Sequence, residues 1–372
     1  MGTSAGSLAR LRKTVARHVR RGFVRAVFVQ PGGGEEEIVE GDGAALGDDA
    51  IAGLLARAHA AAQAGRVKQT YVIDARTRLS VDARHGAGKL VELDEARVEK
   101  MMGGKDRGLR PDRSGDLLRA IGIMNPDGTI SAKHAKKYKQ VTHFVELCRP
   151  IWAALPRSDA PLRVVDLGCG NGYLTFVIAE ALRLEERAAK IVGVDVREDV
   201  IERCRARASG LGWSELSFER AAIADAAELS SLLGGAPDLV IALHACDTAT
   251  DDALALAITA GAKAILAAPC CQHELAGQLS AKATSSLSPA IASHGLLLQD
   301  FAATLTDAIR IDVLTALGWS VDTLELVDPE HTPKNLLLRA LLRGRARERS
   351  ALGPIRERSE ALGVSPRLLA RL

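Results

Sequence analysis

Two adjacent cysteines and a histidine stand close together in "APCCQHEL" (Ala268–Leu275). Thiolates and imidazoles can ligate zinc, but a zinc site needs about four ligands in tetrahedral reach. A thiolate can also act as a nucleophile when its pKa is lowered, and a neutral imidazole can accept a proton from a hydroxyl group. Cys270, Cys271 and His273 are therefore candidate catalytic residues. For the two cysteines a metal site, a reactive thiol, a pocket wall and plain packing all stay open, and we assign no metal ligand.

A second polar stretch, "LHACDTATDDAL", contains His244, Cys246 and Asp247. His244 could act as a base or could make a hydrogen bond within its loop. Asp247 or Thr248 could cap the helix that follows, because short polar side chains accept hydrogen bonds from the first free N–H groups of a helix. We predict His244 and Asp247 as catalytic residues alongside those of the first stretch.

The pattern from Pro161 onward predicts how these two stretches are positioned. Short apolar runs alternate with helical runs, which is typical of an α/β fold with a doubly wound parallel sheet. The predicted strands are Arg163–Leu167, Lys190–Val194, Leu216–Ala221, Asp238–Leu243 and Ala264–Ala268. The two polar stretches follow the fourth and fifth strands, and ligands bind at the carboxyl ends of such strands. We therefore expect the stretches to converge.

The end of the pattern differs. A helix at Ala302–Leu317 precedes "SVDTLELV" (Ser320–Val327), and a short turn leads to "LLLRALL" (Leu336–Leu342). Strands joined by a short turn pair antiparallel. The prediction is a mainly parallel seven-stranded sheet with a C-terminal antiparallel hairpin, preceded by a small N-terminal α+β domain.

A glycine-rich loop, "VVDLGCGNGYLTF" (Val164–Phe176), follows the first of these strands. Gly168, Gly170 and Gly172 would let the backbone turn tightly and approach a ligand, and the next helix would present free N–H groups there. Asp166 directly precedes the glycines and could receive an ammonium group or an ordered water. Asp195 ends the next strand, where a carboxylate can accept the hydroxyl groups of a ribose.

These features resemble the cofactor site of class I S-adenosylmethionine-dependent methyltransferases over about Lys133–Leu342. The spacing Gly-x-Gly-x-Gly fits a dinucleotide fold less well, because that fold uses Gly-x-Gly-x-x-Gly. The resemblance implies S-adenosylmethionine as cofactor, with the glycine loop around its methionine part, Asp195 on the ribose and Asp225 near the adenine. The implied cofactor residues are Gln140, Asp166, Gly168, Cys169, Gly170, Asn171, Gly172, Asp195, Val196, Asp225, Leu243 and His244.

A closer resemblance concerns the two polar stretches. "LHACDTATDDAL", "PCCQHEL" and the Lys-rich "KKYKQVTHF" are similar to the methyltransferase-like group that includes the eukaryotic tRNA ribose methyltransferase with a Cys-Cys-His-His run. This sequence departs from that run at Gln272, and it lacks the N-terminal zinc-binding modules of that enzyme. The resemblance implies methyl transfer to RNA, either tRNA or rRNA.

Charge is distributed unevenly along the 372 residues, although the net charge is only +3. Residues 1–30 contain seven basic and no acidic side chains, and Arg339–Leu372 contains nine arginines. Such segments could neutralise RNA phosphates or could be solvated helix faces. RNA is therefore the predicted partner. A small-molecule or protein methyltransferase and a non-catalytic, cofactor-binding RNA scaffold stay open as alternatives.

The remaining expectations concern organisation and location. We predict an accessory domain over residues 1–100, a basic glycine-rich connector over 101–132, the methyltransferase domain over 133–343 and a basic helical tail over 344–372. No apolar run reaches the ~18 residues of a membrane span, and no signal peptide is evident. We expect a cytoplasmic protein with reduced cysteines and no membrane partner.

Overall fold

The computed structural model describes residues 5–32, 36–105, 107–222, 229–243, 245–269, 272–281, 288–326 and 335–372. The chain divides into two units, Met1–Lys139 (the N-terminal unit) and Gln140–Leu372 (the C-terminal unit). The fifth helix, α5 (Ala132–Ala153), spans the boundary between them.

The described part of the N-terminal unit is an α+β domain with a five-stranded sheet in the order β2-β1-β3-β4-β5, in which every pair of neighbours is antiparallel. Its elements before α5 are α1 (Ala5–Val19), β1 (Arg25–Val29), β2 (Glu37–Glu40), α2 (Asp48–Gln63), β3 (Lys68–Val72), β4 (Thr77–Asp82), β5 (Ala87–Glu92), α3 (Glu95–Met102) and α4 (Gly115–Ala120). The predicted small α+β domain is confirmed.

The core of this unit lies where α1 and α2 cover the sheet. Leu11 of α1 and Phe28 of β1 are buried there together with Tyr71 of β3. The Tyr71 hydroxyl donates to Gln69 Oε1 over 2.8 Å, and Gln69 Nε2 donates to the Ala58 carbonyl oxygen over 2.7 Å. These bonds satisfy polar groups that would otherwise be costly to bury.

In the C-terminal unit, the described strands form a seven-stranded sheet in the order β11-β12-β10-β9-β6-β7-β8. Its strands are β6 (Leu162–Leu167), β7 (Ala189–Asp195), β8 (Leu216–Arg220), β9 (Leu239–Ala242), β10 (Ala264–Ala267), β11 (Trp319–Glu325) and β12 (Leu336–Leu342). Strands β6 to β10 pair in parallel, whereas β12 pairs antiparallel with both β10 and β11. The predicted mainly parallel sheet with a C-terminal antiparallel hairpin is confirmed.

Helices cover both faces of this sheet, as expected for central strands that read as continuous apolar runs. They are α6 (Tyr173–Leu184), α7 (Glu198–Gly210), α8 (Leu229–Leu233), α9 (Thr248–Thr259), α10 (Glu274–Ala281), α11 (Pro289–Ser293), α12 (Gly295–Ala316), α13 (Gly353–Ala361) and α14 (Arg367–Arg371). No helix in the described ranges has the length and apolar character needed to cross a bilayer.

The C-terminal tail belongs to the core of this unit. Leu368 and Leu369 of α14 are buried in the same apolar cluster as the sheet. Arg367 and Arg371 both donate to the carboxylate of Asp252 on α9, over 2.7 to 3.2 Å. The tail is therefore attached to α9, and its last two arginines share one carboxylate partner, Asp252.

Candidate active site

The glycine loop leaves the end of β6 in a conformation that L side chains rarely adopt. Gly168, Gly170 and Gly172 have φ values of 73°, 56° and 68°, and Gly172 is the N-cap residue of α6. The backbone N–H groups of Gly168 and Cys169 donate to the Val194 carbonyl oxygen over 2.8 and 2.9 Å. The loop is thus fixed to the end of β7, and its glycines make the tight turn that the sequence predicts.

The surroundings of the loop glycines differ. A Cβ atom on Gly172 would lie 2.9 Å from Cys204 Sγ and 3.1 Å from the rings of Phe176 and Phe218. A Cβ atom on Gly170 would meet no atom closer than 3.9 Å. Gly172 therefore serves packing beneath the loop, whereas Gly170 borders open space where a ligand can approach the backbone.

Asp166 lies beneath this loop and is buried. Its Oδ2 accepts a hydrogen bond from Thr175 Oγ1 over 2.5 Å, which ties the end of β6 to the first turn of α6. Burial raises the pKa of the Asp166 carboxyl to about 7, the nearby Asp195 charge adds to this, and the Thr175 hydrogen bond opposes it. Asp166 therefore holds the loop in place and titrates near neutral pH.

Asp195 stands at the end of β7, on the other side of the loop. Its Oδ2 accepts from Gly170 N over 3.0 Å, and its Oδ1 accepts from Arg197 N and Nε over 3.0 and 3.2 Å. Burial alone would raise the pKa of Asp195, but these hydrogen bonds outweigh it and lower the pKa below its usual value. The group is a fixed, charged acceptor with at least one lone pair left for a ligand hydroxyl.

Three further predicted cofactor residues are chain neighbours of Asp195 or of its hydrogen-bond partner Gly170. Val196, the next residue, is 57% exposed, so it offers an apolar surface against which a flat ring could lie. Asn171 is exposed, and its Oδ1 accepts from Tyr173 N over 3.0 Å. Burial raises the pKa of the Cys169 thiol, so Cys169 contributes its backbone and not a thiolate. Together with Asp195, this set fits a ligand that carries hydroxyl groups and a flat ring.

Gln140 lies on α5, whose direction along the sheet is fixed by two hydrogen bonds. Arg339 donates to the Leu147 carbonyl oxygen over 3.1 Å, which places the middle of α5 beside the sheet. The helix ends at the amino edge, where Arg187 donates to the Leu155 carbonyl oxygen over 3.1 Å. Gln140 precedes Leu147 by about 10 Å along the helix, toward the carboxyl edge.

Asp247 joins the two polar stretches. Its Oδ1 accepts from the backbone N–H groups of His273 and Glu274 over 2.9 and 3.2 Å, at the start of α10. Its own backbone has φ 52° and ψ −126°, an unusual conformation for a residue other than glycine. Asp247 is the N-cap residue of α9, one of the two positions that the sequence suggested, but its side chain makes no capping hydrogen bond to α9 and binds the start of α10 instead.

A buried arginine supports this junction from α12. Arg310 is 1% exposed and donates to both carboxylate oxygens of Asp251 over 3.0 and 2.5 Å. It also donates to the Asp247 carbonyl oxygen over 3.0 Å and to Asp307 Oδ1 over 3.2 Å. Such a charge can be buried only because it is paired and hydrogen-bonded. Arg310 therefore stabilises the strained backbone at Asp247 through its hydrogen bond to the Asp247 carbonyl oxygen.

The first polar stretch, Ala268–Leu275, contacts the same helix, α12. Gln272 is buried, and its Nε2 donates to Asp307 Oδ1 over 2.7 Å. His273 is exposed, and its Nδ1 lies 2.9 Å from Gln299 Nε2. Donor and acceptor in this contact are set by the tautomer of the imidazole. No local signal revealed Gln299 or Asp307, because their partners lie 26 and 35 residues away.

Several predicted residues lie outside the described ranges: Asp225, His244, Cys270 and Cys271. Cys246 is exposed, and Leu243 is buried at the end of β9. Among the described residues, no group of three His, Cys, Asp or Glu side chains is arranged to hold a metal ion. The strands β9 and β10 pair in parallel with Ala242 opposite Ala267, so the stretches that follow them start side by side.

Comparison with known proteins identifies the type of domain that contains these residues. Residues 136–278, which include the glycine loop and both polar stretches, match the family model of a methyltransferase domain. These residues form a methyltransferase domain. The enzyme class and cofactor predicted from the sequence, an S-adenosylmethionine-dependent methyltransferase, are confirmed for this domain. The match covers less than half of the chain, and no curated protein matches the sequence.

Solved structures similar to the methyltransferase domain have low identity. Magnesium protoporphyrin IX methyltransferase from Synechocystis PCC 6803 with bound SAM shares 17% identity, covering 62% of this chain and 90% of that chain with a TM-score of 0.34. An rRNA methylase from Streptococcus thermophilus shares 16%, covering 55% and 97% with a TM-score of 0.34. An SAH-bound methyltransferase from Podospora anserina shares 16%, covering 69% and 100% with a TM-score of 0.37. At these values the similarities carry no argument about substrate.

Proposed function

We propose that this methyltransferase acts in the cytoplasm on structured RNA, either tRNA or rRNA. The observation that carries the proposal is the contact between the Asp247 carboxylate and the backbone of His273 and Glu274. It joins the two stretches that resemble the tRNA ribose methyltransferase group, at the sheet edge that also bears the glycine loop. An acceptor group bound between these stretches would face the proposed cofactor site.

The cofactor assignment rests on the geometry of this edge. We assign the methionine part of S-adenosylmethionine to Gly168–Gly172, the ribose to Asp195 and the adenine to the region of Val196 and Asp225. Asp166, Gln140, Leu243 and His244 complete the proposed set. When bound, the cofactor supplies an activated methyl group on a sulfonium centre.

The residues of the chain would act mainly by positioning. In the transfer, a bond forms between the acceptor atom and the methyl carbon while the sulfonium bond to that carbon breaks, and the bonding pair stays on sulfur. Alignment of donor and acceptor supplies most of the rate enhancement in such a displacement. A neutral acceptor also loses one proton, to His244 or to water.

His273 would contribute a hydrogen bond. In the tautomer whose Nδ1 accepts from Gln299, Nε2–H is a donor in the neutral ring. A donor at this position suits an acceptor oxygen or a phosphate of the RNA. Cys270 and Cys271 would form the small, polarizable wall of the acceptor pocket between the two stretches.

The test is deletion of the gene, followed by mass spectrometry of the nucleosides of total tRNA and rRNA. The proposal predicts loss of one methylated nucleoside, restored by the wild-type gene and not by an Asp195→Ala variant. An unchanged nucleoside profile would contradict it and favour a small-molecule or protein acceptor. Restoration by the Asp195→Ala variant would favour a non-catalytic scaffold.

A further inference from the structure

Helix α1 presents a basic stripe on a fixed support. Leu11, Val15 and Val19 of α1 are buried in the core of the N-terminal unit. Arg10, Lys13 and Arg17, which we call the α1 basic stripe, are exposed. Their spacing of three and four residues places them on one face of the helix, opposite the buried face. The stripe spans about 10 Å along the axis.

The stripe is not neutralised within the described part of the unit. No acidic residue occurs before Glu35 in the sequence. Arg20, near the end of α1, forms an ion pair with Asp48. Among the described residues, no carboxylate forms an ion pair with a side chain of the stripe. Five exposed charges, including Arg12 and Arg21 beside the stripe, therefore project a positive potential.

The support beneath the stripe is rigid enough to hold a register. Thr14 Oγ1 donates to the Gly86 carbonyl oxygen over 3.2 Å, which fastens the middle of α1 to the turn between β4 and β5. A Cβ atom on Gly86 would lie 2.2 Å from the Ser7 carbonyl oxygen, so helix and turn are in close contact. The spacing of the three charges is thus set by the fold and not by a disordered arm.

Burial of the apolar face of α1 favours a nucleic acid over an anionic membrane as the partner of the stripe. A basic amphipathic helix binds a membrane surface by inserting its apolar face between the lipids. In α1 that face already lies in the protein core, so only the charges are available. A partner bound by charge alone, over a line of regularly spaced sites, is a nucleic-acid backbone.

We propose that the α1 basic stripe is a docking surface for the phosphate backbone of RNA. It would bind RNA independently of base sequence, leaving the choice of acceptor to the methyltransferase domain. The proposal rests on the proposed RNA methyltransferase function for its biological role, but the binding can be measured separately from methyl transfer.

The test compares two triple variants of the full-length chain with the same loss of charge. One is Arg10→Gln/Lys13→Gln/Arg17→Gln. The control is Arg343→Gln/Arg345→Gln/Arg347→Gln, whose arginines are exposed and follow β12 at the amino edge of the other sheet. Glutamine preserves helix propensity in α1. Binding to a folded tRNA transcript is titrated at several salt concentrations.

The stripe variant should bind the tRNA roughly tenfold more weakly at low salt, and its slope of log affinity against log salt should be shallower by about 2 to 3. With tRNA as methyl acceptor, KM should rise while kcat stays unchanged. The control should match wild type. Each single Gln substitution should change the slope by about 0.7 to 0.9. The single variants therefore still test the proposal if the triple variant folds poorly.

Equal weakening by both triple variants, or no change in the stripe variant, would overturn the docking surface. A second result would also overturn it: the wild-type chain binds vesicles that contain phosphatidylserine, this binding is lost in the stripe variant, and the wild-type chain does not bind tRNA. Stripe-dependent tRNA binding without methyl transfer to any RNA would instead overturn the proposed function and support the docking surface.

Discussion

The Oδ1 atom of Asp247 accepts a hydrogen bond from the backbone N–H of His273 over 2.9 Å. A carboxylate in the loop after β9 thereby fixes the start of the helix after β10. Both loops stand at the sheet edge beside the glycine loop. Their relative position depends on one side chain in a strained backbone conformation, which makes that contact a sensitive point of the site.

Replacing Asp247 tests the contact. Asp247→Ala should lower kcat by about tenfold to a hundredfold, because a displacement of the acceptor loop by even 1 Å misaligns the reacting groups. It should also destabilise α10 by about 1 kcal/mol through loss of its cap. Asp247→Asn keeps an oxygen acceptor and tolerates the positive φ, so it should retain most activity. Equal losses in both variants would show that the charge, and not the cap, is needed.

Arg310 should be a major determinant of stability. Arg310→Met leaves the buried carboxylate of Asp251 without its partner and should destabilise the fold by about 3 to 5 kcal/mol in urea unfolding. Adding Asp251→Leu removes that uncompensated charge, so the double variant should be more stable than the single one. A double variant that is no more stable than Arg310→Met would argue against this pair as the source of the effect.

Substitutions of Gly170 and Gly172 should have different effects, the first on ligand binding and the second on packing. Both alanine substitutions introduce a left-handed non-glycine residue, at a cost of about 1 to 2 kcal/mol. The Cβ atom of Gly172→Ala would also lie too close to Cys204, Phe176 and Phe218. This crowding should lower the free energy of unfolding by about 1 to 3 kcal/mol more. Gly170→Ala should instead weaken S-adenosylhomocysteine binding tenfold or more by calorimetry. The opposite ranking in stability would contradict this assignment.

The buried carboxyl of Asp166 should make stability depend on pH. Its pKa is about 7 in the folded chain, against about 3.9 for an exposed aspartate. Between these values the folded state retains the proton that the unfolded state has lost. This group therefore favours folding below pH ~4, and its contribution is lost as the pH rises to about 7.

Asp166→Asn should remove that dependence. The unfolding free energy of the variant, minus that of wild type, should increase between pH 4 and pH 7 in urea titrations at constant salt. Carboxyl groups far from position 166 titrate alike in both proteins, so the difference isolates Asp166 and its effect on the nearby Asp195. A difference that does not change with pH would show that the Asp166 pKa is unshifted.

The sheet of the methyltransferase domain was predictable because its buried strands are continuous apolar runs. Leu336–Leu342 matches the prediction to the residue, and the glycine loop follows β6 as its spacing indicates. Such signals are local. A run of four to seven residues, bounded by glycine, proline or a charge, suffices to locate a buried strand.

Contacts between distant residues were not predictable in the same way. Asp247 was expected to cap the helix that it begins, but its carboxylate binds α10, 26 residues away. The tail suggested a solvated or RNA-binding helix because of its arginines, yet Leu368 and Leu369 are buried and Arg367 pairs with Asp252. These contacts depend on how the sheet brings distant segments together. The composition of each segment does not reveal that arrangement.

The central claim, methyl transfer to RNA, is tested most directly with the purified chain. Wild type and Asp195→Ala are incubated with methyl-labelled S-adenosylmethionine and total RNA from cells that lack the gene. The account predicts label in one nucleoside of tRNA or rRNA, sensitive to nuclease and absent with Asp195→Ala. Label that resists nuclease and enters protein or a small molecule, or label transferred equally by both proteins, would contradict it.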